Sequence, residues 1–456
     1  MRFLVVSPNQ LTVPDPVPPL GAAYAAGIAR AAGHEVALYD ACFAGERMHG
    51  ELAATIAEFR PQAIGMSLRN VDEASYPRAL SALPRYREAV RTVRAAAPGV
   101  PLLLGGSAFT LFPEALLAAL DADHGVAGEA ETALPSLLER LARGAVRRGE
   151  IVQGTGSDLT DSALPARELL DLARYAREGG SVNVQTKRGC VFSCGYCTYP
   201  MLEGRRVRVR HPERVVDELE AIVQTRGIDS FFFVDSVFNV PREHARALCE
   251  AILRRGLSLR WTSYVTPAGL TAELVDAMAR AGCRSVDLGT DAASAGTLAG
   301  MHKGFDAEDV RRASRLLREA GIAFCHSLIF GGPGETWSTL EETVAVVEET
   351  RPAAAVAMVG VRVYPGTRVA AHARAHGVEV DPLSLTPVHW IEPAVADRLL
   401  ERLKELVARS PLWVVPGVSR DLPEPLRKRL RARGAQGPLW EQLGRGSRPL
   451  PGDSRT

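Results

Sequence analysis

Three of the seven cysteines in this 456-residue chain fall within eight residues: Cys190, Cys194 and Cys197, in the run KRGCVFSCGYCTYP from Lys187 to Pro200. Three thiols so close together can bind metal, pair, or remain free. A disulfide would leave one thiol over. A closed structural zinc site needs a fourth protein ligand, and His211 is the only candidate in easy reach. A [4Fe–4S] cluster on three thiolates satisfies the spacing C-x3-C-x2-C, with aromatic Tyr196 just before the last cysteine, and it leaves one iron free for substrate. Cys42, Cys249, Cys283 and Cys325 stand singly in apolar segments and read as small core residues.

Such a loop must be carried by a scaffold, and the surrounding pattern supplies one. From about residue 181, strand-like runs alternate with helical ones: SVNVQTKRG before the cysteines and PERVVDELEAIVQTRG after them, then SFFFVDSVFN, LRWTSYV, RSVDLGTD, IAFCHSLIFGG and AAVAMVGVRVYPG, with a helix following each of the first four. Helix PERVVDELEAIVQ puts Val215, Val216, Leu219, Ile222 and Val223 on one face, as a helix covering a barrel wall should. Six βα units fall short of a closed barrel of eight, so 181–375 reads as a partial (β/α)6 TIM-type barrel. Its chemistry is expected at the carboxyl ends of its strands.

Residues 1–145 show an earlier alternation, FLVVS, EVALYD, AIGMSL, PLLLGG and HGVAG with helices between them. This is the pattern of a doubly wound, Rossmann-like α/β domain, whose ligand lies beyond the strand ends near Pro8, Asp40, Ser67, Gly105 with Gly106, and Gly128. Small residues at four of these five ends leave room for a large flat ligand. Residues 146–180 lose the periodicity and read as a linker, whereas 376–456 reads as a mainly helical region with a disordered tail, GRGSRPLPGDSRT.

A net charge of +1 and 23% charged residues give no global pull toward nucleic acid or an anionic membrane. The basic run LRKRLRARG has no aromatic interleaving and reads as a solvated helix face, so no nucleic-acid partner is expected. No export signal precedes the first strand and no apolar run could span a bilayer, which points to a cytoplasmic protein without a transmembrane segment.

The cysteine loop and its six βα units resemble the radical S-adenosylmethionine superfamily. That resemblance implies an open iron chelating the amino and carboxylate groups of S-adenosylmethionine, whose one-electron cleavage gives a 5′-deoxyadenosyl radical. By position it implies that Tyr196 lies near the adenine, Asp235 and Ser236 near the methionine end, and Asp291 at the ribose. Gly331, Gly332 and Pro333 would allow close approach of the adenine, with Tyr364 beside it. Each has a plainer reading, Asp235 and Asp291 as caps and Gly331 to Gly334 as a tight turn. Lys303 and His326 read equally as surface or core groups. Strand two reads VDSVFN where many members carry a Gly-Gly-Glu-like sequence, so the contacts to the methionine amine are open.

The first domain resembles the cobalamin-binding domain of B12-dependent members of that superfamily, through PVPPLGAAYAAGIARAAGHEVALYD, GMSLRN, LLGGSAF and VAGEAE. The resemblance assigns Pro19, Leu20, Ser67, Leu68, Arg69, Asn70, Gly105, Gly106, Ser107, Gly128 and Glu129 to cobalamin. Other B12 proteins carry D-x-H-x-x-G where this chain has Asp40-Ala41-Cys42-Phe43-Ala44-Gly45, so the cobalt is expected without a histidine. No G-x-G-x-x-G follows the first strand, which disfavours NAD. The whole implies a C-methyltransferase acting on an unactivated carbon of a small-molecule, lipid or secondary-metabolite substrate. Its electron donor would be of the flavodoxin or ferredoxin kind. The alternatives are a cyclase, ring-contracting or oxidising enzyme with the same cofactors, or a non-catalytic B12 or redox sensor.

Overall fold

Strands bought by short β-branched and leucine-rich runs, each returned by a helix, produce two parallel sheets. The coordinates are a computed structural model and describe residues 1–77, 79–160, 162–419 and 424–442. The first sheet contains β1 (Arg2–Ser7), β2 (Glu35–Asp40), β3 (Ala63–Ser67), β4 (Leu102–Gly105), β5 (His124–Gly128) and β6 (Glu150–Gly154), in the order β2-β1-β3-β4-β5-β6. Every pairing is parallel. Alternate residues of β1 serve opposite faces: Leu4 and Val6 pack toward helices Met48–Phe59 and Leu83–Ala96, and Phe3 and Val5 toward Leu20–Ala31 and Ala130–Ala142. The order reverses between β1 and β3, and a crevice opens beyond their carboxyl ends.

β6 corrects the sequence reading, because 150–154, read as linker, is the edge strand of this sheet. Its pattern is faint because its side chains are only partly buried, Ile151 toward one face of the sheet and Val152 toward the other. The linker also contains helix Leu172–Gly179, capped by the Asp171 side chain accepting from the Arg174 amide.

The second sheet begins with β7 (Val182–Val184). A short antiparallel ribbon, β8 (Lys187–Arg188) with β9 (Arg208–Val209), brackets the cysteine loop. Then come β10 (Ser230–Phe233), β11 (Arg260–Val265), β12 (Cys283–Asp291), β13 (Ala323–Phe330) and β14 (Ala354–Val359). The six barrel strands are parallel neighbours in chain order, β7 to β14, and form an open barrel wall. Trp261, Val265, Val286 and Leu288 pack outward under the helices.

The C-terminal region is mainly helical among the described residues, with short strands added. β15 (Val361–Arg362) pairs with β16 (His389–Trp390), and β17 (Trp413–Val414) lies parallel beside β14 as a seventh strand. The basic run is solvated on one side only, where Lys428, Arg429 and Arg433 are exposed. In helix Glu424–Ala432, Arg427 and Arg431 are buried; Arg427 donates to the Pro14 carbonyl at 2.8 Å and Arg431 to Asp15 at 2.8 Å. The segment read as a disordered tail lies outside the described residues. No helix among the described residues is long and apolar enough to cross a membrane.

Candidate functional site

The cysteine loop is tied down at both ends by backbone. Gly189 has φ +93°, and a Cβ there would sit 2.2 Å from the Arg206 carbonyl, so only glycine fits where the loop leaves β8. The Cys190 amide donates to the Gly204 carbonyl at 3.1 Å, Gly195 donates to Met301 at 2.9 Å, and Val369 donates to the Gly195 carbonyl at 2.9 Å. Three separate elements therefore hold a loop that has no regular structure. Cys190 is buried, and Cys194 and Cys197 are half-buried. Burial pushes the Cys197 thiol up to about 12 and raises that of Cys194. Among the described residues no three His, Cys, Asp or Glu side chains, the three thiols included, are gathered closely enough to hold a single metal ion. His211 instead heads helix Pro212–Arg226.

Beside the loop, the Tyr196 hydroxyl donates to Asp291 at 2.5 Å, and the Lys303 ammonium donates to the same carboxylate oxygen at 2.5 Å. Asp291 closes β12 in the left-handed region, φ +58°, where the ladder to β13 shifts register. Lys303 also bonds the Cys194 thiol; burial opposes its charge, but Asp291 and Cys194 outweigh burial and raise its pKa. Nothing in the sequence distinguished Lys303 from a surface lysine, because its partners arrive from two other elements.

Asp235 differs from the expectation. Its side chain is wholly buried and saturated: one oxygen accepts from the Thr186 amide at 2.7 Å and the other from the Thr186 hydroxyl at 2.6 Å and the Lys187 ammonium at 3.2 Å. With both oxygens committed to Thr186 and Lys187, its carboxylate anchors the root of the cysteine loop. Ser236, next to it, is half-buried and donates to the Gly189 carbonyl at 3.1 Å, steadying the loop's entry.

Gly331, Gly332 and Pro333 form the turn after β13. Gly331 has φ +87°, and a Cβ at Gly332 would sit 2.9 Å from the Met301 sulfur, which brings this turn against the segment that holds Gly195. The Gly331 amide donates to the buried Glu335, whose carboxyl is pushed up to about 8 by burial. Its other oxygen has no partner in the described structure. His326, by contrast, is a core group bonded to Thr290 and Thr350.

The first domain contributes a cavity of about 600 Å³. Pro19, Leu20, Ser67 to Asn70, Gly105 to Ser107, Gly128 and Glu129 all border it, so one space gathers every residue assigned to cobalamin. Two side chains brace the backbone of its wall. Ser107 donates to the Arg69 carbonyl at 2.6 Å, and Tyr86 to the Asn70 carbonyl at 2.6 Å. Gly106, at φ +91°, lies so near the Leu68 backbone that a Cβ would come within 2.5 Å of it. At Gly105 a Cβ would meet only Val126 O, at 3.6 Å, so its missing side chain is room left in the cavity. Cys42 is buried, its amide donates to Asp40 at 3.1 Å, and it does not border the cavity; nor does any histidine among the described residues.

Two assigned side chains have other work. Glu129 is paired with Arg208 of β9 and lies 3.4 Å from Arg188, so its carboxylate joins the first sheet to the cysteine ribbon. Tyr364, expected beside the adenine, borders the cavity and faces Phe112 of the first domain, with rings 6.2 Å apart.

A scan of protein-family descriptions matches residues 7–138 to the B12 binding domain and residues 184–347 to the radical SAM superfamily. The chain carries a B12 binding domain followed by a radical SAM superfamily domain. An uncharacterised methyltransferase of Pyrococcus horikoshii is 25% identical over 88% of this chain and 87% of its own. Tryptophan 2-C-methyltransferase of Streptomyces laurentii is 25% identical over 79% of this chain and 72% of its own. A radical S-adenosylmethionine methyltransferase of Kitasatospora setae, solved with cobalamin and a [4Fe–4S] cluster bound, shares the fold: TM-score 0.84, 22% identity, 97% of each chain covered.

In this chain the two halves of the site share one space. Thr198 and Tyr199 from the cysteine segment, Val234 after β10, Tyr264 of β11 and Tyr364 border the same cavity as Ser67 and Gly105. The halves are clamped by buried pairs, Arg362 to Asp72 at 2.8 Å and Arg188 to Glu131 at 2.6 Å. Sequence reasoning missed these clamps, because no local pattern marks a partner more than 50 residues away.

Proposed function

We propose that the chain is a cobalamin-dependent radical S-adenosylmethionine methyltransferase acting on an unactivated carbon of a small molecule. The observation that carries this reading is the single cavity bordered both by the glycine-rich strand ends of the first sheet and by the segment that follows the cysteines. The residues fit the cofactors: three soft thiols on one pinned loop suit a cluster, and a roomy cavity with glycines at its strand ends suits a bulky ligand such as cobalamin. Methyltransferases among the relatives that span most of the chain support the same reading.

When bound, the cluster with S-adenosylmethionine supplies a carbon-centred radical and cobalamin supplies a methyl group. The chain's own contribution is placement and exclusion of water. Cys190, Cys194 and Cys197 would hold the cluster. Gly331 to Pro333 and Tyr196 would border S-adenosylmethionine, and the Asp291–Lys303 pair would fix Tyr196. Ser67 to Asn70 and Gly105 to Ser107 would seat cobalamin through backbone groups. A flavodoxin- or ferredoxin-type donor would deliver the electrons.

The test is anaerobic reconstitution with iron, sulfide and cobalamin, followed by mass analysis of products and of 5′-deoxyadenosine from candidate substrates. Product heavier by one CH₂, lost together with the iron in Cys194→Ala, is the expected result. 5′-Deoxyadenosine release without that mass gain would replace methyl transfer by cyclisation or oxidation. A lone tetrahedral zinc in the refilled protein would overturn the reading altogether.

A further inference from the structure

The inner face of the barrel holds a carboxylate that none of the roles above uses. In β11 and β12, Trp261, Val265, Val286 and Leu288 pack outward, so Tyr264 and Asp287 face inward. Strand pairing sets these two side by side, and Asp287 beside Cys325 of β13. Tyr264 is 42% exposed although its strand is hydrogen-bonded on both sides, so its ring is bared to a hollow in the barrel. Phe232 stands 5.0 Å from that ring, and Ser327, Ile329 and Met358 are half-buried on the same face. Tyr264 also borders the cavity shared by the two halves, so this hollow opens toward the cofactor residues.

Two carboxyl groups lie at the floor of the hollow. The Trp440 indole donates to Asp287, and Glu441 adds a like charge nearby while accepting from the Ser285 hydroxyl. Among the described residues no lysine or arginine is paired with Asp287, and burial with Glu441 beside it pushes its carboxyl up to about 7. A carboxylate among aromatic and aliphatic walls is costly unless a cation or donor meets it. Aromatic rings next to it favour a cation further.

We propose that Asp287 anchors a protonated amine of the substrate at the floor of the barrel, with the molecule's apolar or aromatic body lying along Tyr264, Phe232 and Met358 toward the cofactors. This rests on the reading of the barrel as the substrate half of the site, and it narrows the substrate to a compact amine.

The test is equilibrium binding to the reconstituted holoenzyme of matched probes: 2-phenylethylamine against 2-phenylethanol, tryptamine against tryptophol, and phenylacetate. Each amine is expected to bind at least about tenfold more tightly than its alcohol, the scale of a hydrogen bond to a charged group, and phenylacetate more weakly than either. Asp287→Asn should bring that ratio close to one with iron and cobalamin content unchanged. Ser327→Lys, which sets an internal ammonium on a neighbouring strand, should abolish the amine preference as well, and it decides the matter if the first variant fails to fold. Equal affinity for amine and alcohol in the unaltered protein, or an unchanged ratio in Asp287→Asn, would overturn the proposal. Neither readout needs methyl transfer, so an amine preference without methylated product would sink the proposed reaction and leave the role of Asp287 standing.

Discussion

At the carboxyl ends of the first sheet the chain withdraws its side chains, setting Ser67, Gly105, Gly106 and Gly128 around a hollow. At the start of the second sheet it does the reverse and locks Lys187 and Asp235 into an ion pair with side chains 1% and 0% exposed. The difference follows from what each end must hold. A bulky ligand that touches the protein over a wide surface needs volume and backbone donors. A metal cluster needs a few sulfurs fixed in place, and the loop bearing them needs a rigid root. Asp235 provides that root by bonding Thr186 and Lys187, the residues from which the loop departs.

The strongest way to break this contrast is at the root. Asp235→Ala leaves the Lys187 ammonium buried without its partner and should cost about 3–5 kcal/mol, read as a lower urea midpoint of the cofactor-free protein. Replacing both residues, Lys187→Met with Asp235→Leu, should recover much of that loss. If Asp235→Ala kept full stability and lost only S-adenosylmethionine binding, the residue would be a ligand after all.

An intermediate effect is expected at Gly106. Gly106→Ala forces a Cβ against the Leu68 backbone at positive φ, a strain of about 1–3 kcal/mol, and should lower cobalamin retained after gel filtration while iron content persists. Gly105→Ala sharpens the comparison, since it adds a methyl with no backbone clash and should weaken cobalamin binding with little change in unfolding.

The smallest effect belongs to the clamp between the halves. Burial would raise the Glu129 carboxyl, but its bond to Arg208 and the charges of Arg188 and Arg208 outweigh burial and hold it below its ordinary 4.5. A depressed carboxyl contributes stability above its unfolded pKa and loses it as pH falls through the folded value. The unaltered protein should therefore lose this contribution on acidification below pH 4.5, whereas Glu129→Gln should be slightly less stable at pH 7 and show a flatter acid limb in thermal unfolding.

Much of this was legible in the sequence because it is local. Short apolar runs and period-3.6 patterns marked the buried strands and their helices, and the cysteine spacing lies on one loop. What escaped was long-range. β6 and β17 are edge strands, the first only partly buried and the second two residues long, so their pattern is faint. Asp235 read as a ligand because a strand-end carboxylate looks the same whether it meets a cofactor or a buried lysine 48 residues earlier. Arg427 and Arg431 read as solvated because helix LRKRLRARG is basic all round. Their burial depends on carbonyls and a carboxylate supplied by residues 12 to 15.

The short turn Leu439–Gln442 that sets Trp440 under Asp287 and Glu441 against Ser285 is the last stretch of chain described. On the ribosome the first sheet and all six barrel strands emerge before it, and domains fold as they emerge. The nascent barrel wall thus stays open at its floor until residues some 150 positions beyond β12 arrive to seal it.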